Sequence, residues 1–263
     1  MHRMFFAFAV VLGVSAGVHG DAVKDAGGPL PSQADMEKLA RTNPVAFLEN
    51  CLRKHAREVK GYTLKLHKQE NIGGRINPAE VIDVSFRDQP HSVLFIWQDG
   101  ARLAERVLYV AGENGGMMLA RPKGAVARLV AGDVAKREVN GDDAKQSGRY
   151  TLAQFGFRKA EERTLQAWRK AQEEQTLNVE YLGLKKVPEV GDRTCFVMRR
   201  INKTPDPDGV KETTFYVDAE NWLQTGAVSK DETGLLVGSY FFRDVKLNPT
   251  FGKDQFTPAA LKP

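Results

Sequence analysis

The hydrophobic period of this chain changes at Gly61, and that change constrains the fold more than any other feature. Before it, Leu48, Cys51, Leu52, His55 and Val59 recur at helical spacing, behind an Asn43-Pro44 start in which Asn caps and Pro suits the first helical position. A shorter helix is expected from Asp35 to Arg41. After Gly61, Tyr62, Leu64 and Leu66 alternate with Thr63, Lys65 and His67, the pattern of a half-buried strand. Strands are expected at 79–88, 91–98 and 102–111, separated by Asn77-Pro78, Gln89-Pro90 and Asp99-Gly100, and shorter ones at 115–121, 125–130 and 134–139. They resume at 177–186, 193–202, 211–218, 222–230 and 234–247. Between the two sets, residues 149–175 mix Leu152, Phe155, Leu165 and Trp168 with many opposite charges three or four apart. That pattern reads as a helical insert, a surface helix closing one end of the sheet. The expected class is mainly β with helices (α+β), a curved antiparallel sheet with the N-terminal helix on its concave side.

The N-terminus carries a different message. Met1 to Met4 form a short basic start, Phe5 to Val14 an apolar run, and Val18-His19-Gly20 offers small residues at the positions a signal peptidase inspects. The run is about half the length a spanning helix requires. Residues 1–20 therefore read as a signal peptide cleaved near Gly20, residues 21–34 as a flexible leader, and 35–263 as a single domain in the periplasm or outside the cell. The first cysteine is Cys51, so lipid attachment at the cleavage point is not expected. A net charge of +5 on 263 residues is too weak to indicate nucleic acid as a partner. In an oxidising compartment Cys51 and Cys195 are the one available intrachain pair, and a bridge pinning helix to sheet is expected; two buried free thiols are the alternative.

Catalytic constellations fail one by one. After signal cleavage the histidines are His55, His67 and His91, with no His-x-His or His-Glu-x-x-His spacing, so no metal site is expected. There is no nucleophile elbow and no phosphate-binding glycine loop. Glu161-Glu162 and Asp142-Asp143 read as solvated carboxylates. No catalytic residue, cofactor or enzyme activity is assigned.

What remains is an excess of large apolar residues over what one sheet face uses: Leu94, Ile96, Trp97, Phe196, Met198, Phe215, Trp222, Phe241 and Phe242. If a helix fills the concave side only partly, the rest is an apolar pocket. The C-terminal run gives this a precedent. Phe215-Tyr216-Val217-Asp218, Trp222-Leu223, Gly234-Leu235-Leu236, Tyr240 through Asn248, and Phe256 together resemble the ending of the periplasmic lipoprotein-carrier superfamily. Its members include the Lol carrier, its outer-membrane receptor and related sigma-factor regulators. Pro44 through Leu48, Gly61-Tyr62-Thr63, Lys68-Gln69-Glu70, Phe86-Arg87 and Gly148-Arg149-Tyr150 further resemble a secreted bacterial domain-of-unknown-function family of planctomycete type. The resemblance implies an unclosed half-barrel with a helix lid over an apolar cavity, and an acyl chain as ligand. The chain departs from the carrier pattern at Gln224, near the place of a usual proline, and in residues 149–175.

The expected function is a non-catalytic protein that binds a lipid or acyl chain and carries it to an envelope partner, with transient contact to a membrane surface. The alternative is an interaction or sensor module whose cavity is filled by its own helix. Alternation, with Cys195 taken to face the helix, assigns Leu64, Leu66, Val93, Phe95, Trp97, Val197, Phe215, Val217 and Phe241 to the cavity lining.

Overall fold

The computed structural model describes residues 27–262; the signal-peptide reading of residues 1–20 and the first part of the expected leader lie outside them. Two helices lead, α1 (Gln33–Thr42) and α2 (Pro44–Glu58). The Ser32 hydroxyl and Asp35 carboxylate cap α1 reciprocally, and Asn43 Oδ1 accepts from Ala46 N–H at the start of α2. The far end of α2 is sealed from a distance: Asn248 Nδ2 donates to Glu58 O, and Asn248 Oδ1 accepts from Lys60 N–H.

The strands follow as β1 (Gly61–Ile72), β2 (Arg75–Ile76), β3 (Glu80–Arg87), β4 (Ser92–Asp99), β5 (Ala104–Val110), β6 (Met117–Pro122) and β7 (Ala135–Glu138). Helices α3 (Ala125–Ala131), α4 (Asp142–Ser147) and α5 (Phe157–Glu173) intervene. Then come β8 (Val179–Val187), β9 (Arg193–Ile201), β10 (Glu212–Asp218), β11 (Gln224–Lys230) and β12 (Leu236–Leu247). All pairs are antiparallel, in the order β7-β6-β5-β4-β3-β1-β12-β11-β10-β9-β8 with β2 on β1. The two edges, β7 and β8, do not meet, so the sheet is an unclosed half-barrel. The expected fold class holds.

The concave face is divided. Over β8 to β11, helices α1, α2 and α5 bury Phe47, Leu48, Cys51, Leu165 and Trp168 against Phe196, Met198, Phe215 and Val217. Over β1 and β3 to β5, Phe157 and Leu152 cover Tyr62, Leu64, Phe86 and Val93. On the convex face, the C-terminal segment lays Phe256 and Leu261 over Leu94, Leu108 and Leu119, and Val187 and Val190 cover Cys195 and Val197.

Three expectations are corrected. Residues 125–130 are helical rather than a strand: the Ala-Val-Ala-Arg-Leu-Val-Ala run sits between Gly124 and Gly132 as α3. The helical insert is not a surface helix at one end of the sheet. It starts at Phe157, after a loop with one 3-10 turn at Leu152–Gln154, and buries Phe157, Glu161, Leu165, Trp168 and Ala171 as a stripe across the concave face. The carboxylate of Glu161 inside that stripe hides it from a hydrophobicity pattern. Third, Cys51 and Cys195 are both free and buried, with no bridge between them. Cys51 belongs to the concave core and Cys195 to the convex cluster, because Phe196 and Met198, not Cys195 and Val197, face the helices. In a strand one step along the sequence is the opposite side of the sheet. Burial pushes the Cys51 thiol up, and Cys195 to about 11, so both are protonated.

Candidate functional site

Where the helices stop, the concave face stays open as a cavity of about 770 Å³, within the usual range for ligand sites of about 300–1,000 Å³. The strand register builds its floor in lateral rows of cross-strand neighbours. The outermost row is polar: Arg200, Thr213, Ser229, Gly238 and Glu70, on β9, β10, β11, β12 and β1. Two residues further along the strands come Phe215, Ala227, Tyr240, Lys68 and Glu80. The next row offers Phe242, Leu66 and Trp97, and the last Phe95, Val107, Ala120 and Ala135. Polarity falls steadily from one end of the strands toward the other.

The opposite wall is the loop 147–156 and the first half of α5, with Ala160, Arg163, Thr164 and Ala167 at the cavity. Phe155 turns its ring edge-on to Phe95 at 4.9 Å, and the His91 Nε2–H donates to Leu152 O at 3.0 Å, so the loop is tied down over the sheet. Gly156 is required there: its φ is 127°, and a Cβ would stand 3.0 Å from the Phe86 ring.

The polar groups are closely interlocked. Lys68 Nζ lies 3.2 Å from Glu70 and 3.4 Å from Glu80, both carboxylates being buried. Tyr240 Oη–H donates to Glu70 Oε1 at 2.6 Å, and Trp97 Nε1–H to Glu80 Oε2 at 2.6 Å. Burial and the Glu70 carboxylate push the Tyr240 phenol well above its ordinary value. Arg149 pairs with Asp208 at 3.4 Å. Arg163 donates to Gln154 O at 2.8 Å and lies 4.4 Å over the Tyr150 ring. Burial lowers the Arg163 and Arg200 values, each guanidinium remaining charged.

At the mouth the chain leaves apolar side chains in solvent. Val126, Leu129 and Val130 of α3 are 79%, 88% and 84% exposed, beside exposed Leu103 and Val134. Residues 121–137 carry five Arg or Lys against one Asp. Ala127 and Ala131, on the other side of α3, line the cavity.

Of the nine residues assigned by alternation, Leu66, Phe95, Trp97 and Phe215 line the cavity. Leu64 and Val93 share its face but lie in the core under Leu152 and Phe157, and Val217 is covered by the helices. Val197 and Phe241 are corrected to the convex face, packed with Val187, Val190 and Tyr216. For Phe241 the error has a plain source: Tyr240-Phe241-Phe242 is aromatic on both faces, so alternation gives no register. Sequence reasoning did not assign Phe155, Tyr240, Phe242, Arg163 or Arg200 to the lining; Arg163 reads as one of the solvated charges of residues 149–175, and Arg200 carries no sequence signal. Among the described residues no group of three or more His, Cys, Asp or Glu could hold a metal ion, and no helix is long and apolar enough to cross a membrane.

A family model described as "Protein of unknown function (DUF1571)" matches residues 59–262, and the chain belongs to that family. No curated protein matches its sequence. Among solved structures, it is similar to a chain of the Pseudomonas aeruginosa MucA/MucB complex, with 15% identity and a TM-score of 0.49, over 83% of this chain and 62% of that one. The chain thus spans about three fifths of that structure's length. It is also similar to the Mycobacterium tuberculosis lipoprotein LppX, with 10% identity, a TM-score of 0.44, and coverage of 80% and 99%. A LolA superfamily protein from Nitrosomonas europaea gives 8% identity, a TM-score of 0.33, and coverage of 89% and 100%.

Proposed function

We propose that this chain is a non-catalytic binding protein of the bacterial envelope that holds a lipid or acyl chain on the concave face of its sheet and passes it to an envelope partner. The observation that carries the reading is the cavity, about 770 Å³, apolar at one end of the strands and polar at the other. Each methylene taken from water into the Phe95, Val107 and Phe242 region contributes about 0.8 kcal/mol, against which the loss of ligand freedom is set. The export-type N-terminus, a basic start and a short apolar run, supports a location outside the cytoplasm. The apolar and basic segment at the mouth gives a bound chain a route toward a membrane surface or an apolar partner.

The second reading, an interaction or sensor module, has in its favour that α1, α2 and α5 fill the β8–β11 half of the concavity themselves. Titration with an environment-sensitive apolar dye, then with fatty acid, separates the two. The acyl reading expects saturable dye uptake at one site and displacement by fatty acid. A dye that does not bind, or that fatty acid does not displace, rejects it in favour of the interaction module.

A further inference from the structure

We propose that the cavity takes an amphiphile with one anionic headgroup, a carboxylate or a phosphate, whose oxygens are held by Arg163 and Arg200. This rests on the acyl-chain reading of the same cavity and adds the charge and position of the head. Each cavity-lining carboxylate already has donors: Glu70 takes Lys68, Tyr240 Oη–H and Arg149 N–H, and Glu80 takes Lys68 and Trp97 Nε1–H. Asp206 Oδ1 accepts the backbone N–H groups of Asp208 and Val210, and Asp208 pairs with Arg149.

Two lining cations, Arg163 and Arg200, have no carboxylate within ion-pair distance among the described residues. A guanidinium has five N–H donors. Arg163 donates to Gln154 O, stacks on the Tyr150 ring, and is also influenced by the Tyr150 hydroxyl and the neighbouring Glu162. Arg200 makes no side-chain hydrogen bond or ion pair among the described residues, and Asp206 is the acidic group near enough to influence it. Both side chains are half-buried, where an unpaired charge is costly and an anion offsets that cost through short, charge-assisted hydrogen bonds. Beside Arg200 in the same row, Thr213 Oγ1 and Ser229 Oγ are 3.0 Å apart. One of the two hydroxyl protons joins them, which leaves the other for a ligand oxygen. From that row to the row of Phe95 is six residues of strand, about 20 Å. The apolar end opens on β4 to β7, and β4 is six strands from the β9 of Arg200, so a long acyl chain would cross the sheet obliquely from the head toward that end.

The test measures binding of three ligands with one C16 chain each, palmitate, hexadecyl phosphate and uncharged methyl palmitate, by displacement of the apolar dye. The anionic ligands are expected to bind about 10- to 100-fold more tightly than the methyl ester, the range for hydrogen bonds to charged groups. Palmitate leading identifies a carboxylate head, hexadecyl phosphate a phosphate. Arg200→Gln and Arg163→Gln should each lose most of that preference while binding methyl palmitate as the parent chain does, which also reports that they fold. Arg200→Lys should keep part of it. Equal affinity for ester and anions, or variants that weaken all three ligands alike, overturns the inference while leaving the acyl reading standing. Failure of all three to bind overturns both.

Discussion

The pair His55 and Glu161 gives the sharpest quantitative prediction, because it joins the helix over the cavity to the helix behind it. Both side chains are buried between α2 and α5. Glu161 Oε1 accepts from Gln224 N–H, tying α5 to β11, while Oε2 stands 3.8 Å from His55 Nδ1, too far for a hydrogen bond. Burial pushes Glu161 up to about 8, with Glu162 adding to it, and pushes His55 down to about 4, with Arg158 adding to it. Between pH 5 and 7 the folded protein therefore holds a neutral acid facing a neutral imidazole.

In the unfolded chain both groups titrate at ordinary values, and each pH unit over which one proton is bound in one state alone changes stability by about 1.4 kcal/mol. From about pH 4 to 6.5 the unfolded chain protonates His55 and the folded one does not, so stability rises with pH. From about pH 4.5 to 8 the folded state keeps the Glu161 proton and the unfolded one has lost it, so stability falls with pH. The two effects cancel over their overlap, leaving a plateau between about pH 4.5 and 6.5. Above it Glu161 acts alone for about 1.5 units, a loss of about 2 kcal/mol by pH 8. Urea unfolding at pH 5.5, 6.5, 7.5 and 8.5 reads this directly, and Glu161→Gln should flatten the alkaline limb. A parent chain with no loss above pH 6.5, or a Glu161→Gln chain with the same loss, refutes the reasoning.

Three further outcomes are expected. A thiol reagent should find no reactive cysteine in the native protein and two after denaturation, and a reductant should leave the melting temperature unchanged; a shift with reductant would mean a bridge. Tyr62→Phe removes the acceptor for the buried Phe157 N–H, which donates to Tyr62 Oη at 3.1 Å, and should lower unfolding free energy by about 1–3 kcal/mol. A change below about 0.5 kcal/mol would show that this contact does not hold the start of α5. Ala120→Trp places a ring in the last row of the cavity floor. It should abolish dye uptake with the far-ultraviolet circular dichroism unchanged; undiminished uptake would put the ligand elsewhere.

The periodicity of the sequence carries most of the fold and less of the site. The switch of period at Gly61, the Asn43-Pro44 helix start and the spacing of the turns are local signals, and the helices and long strands follow them. Where the structure departs, non-local packing decided. The α5 stripe is interrupted by Glu161, and only the neutral state that burial imposes makes a carboxylate a core residue. Strands β9 and β12 are covered on both faces, so Cys195-Phe196-Val197-Met198 and Tyr240-Phe241-Phe242 have no polar side to fix their register. The helix α3 is too short and too exposed for its period to distinguish it from a strand. Arg163 and Arg200 look like any surface arginine until the partners of the surrounding carboxylates are counted.

The central claim is that the concave cavity holds an acyl chain. Organic extraction of the purified protein, followed by mass spectrometry and by a second measurement after incubation with fatty acid, tests it most directly. The account predicts a defined acyl lipid at close to one molecule per chain, present on isolation or taken up afterwards. Protein that yields no lipid and takes up none, with its fold intact, contradicts it.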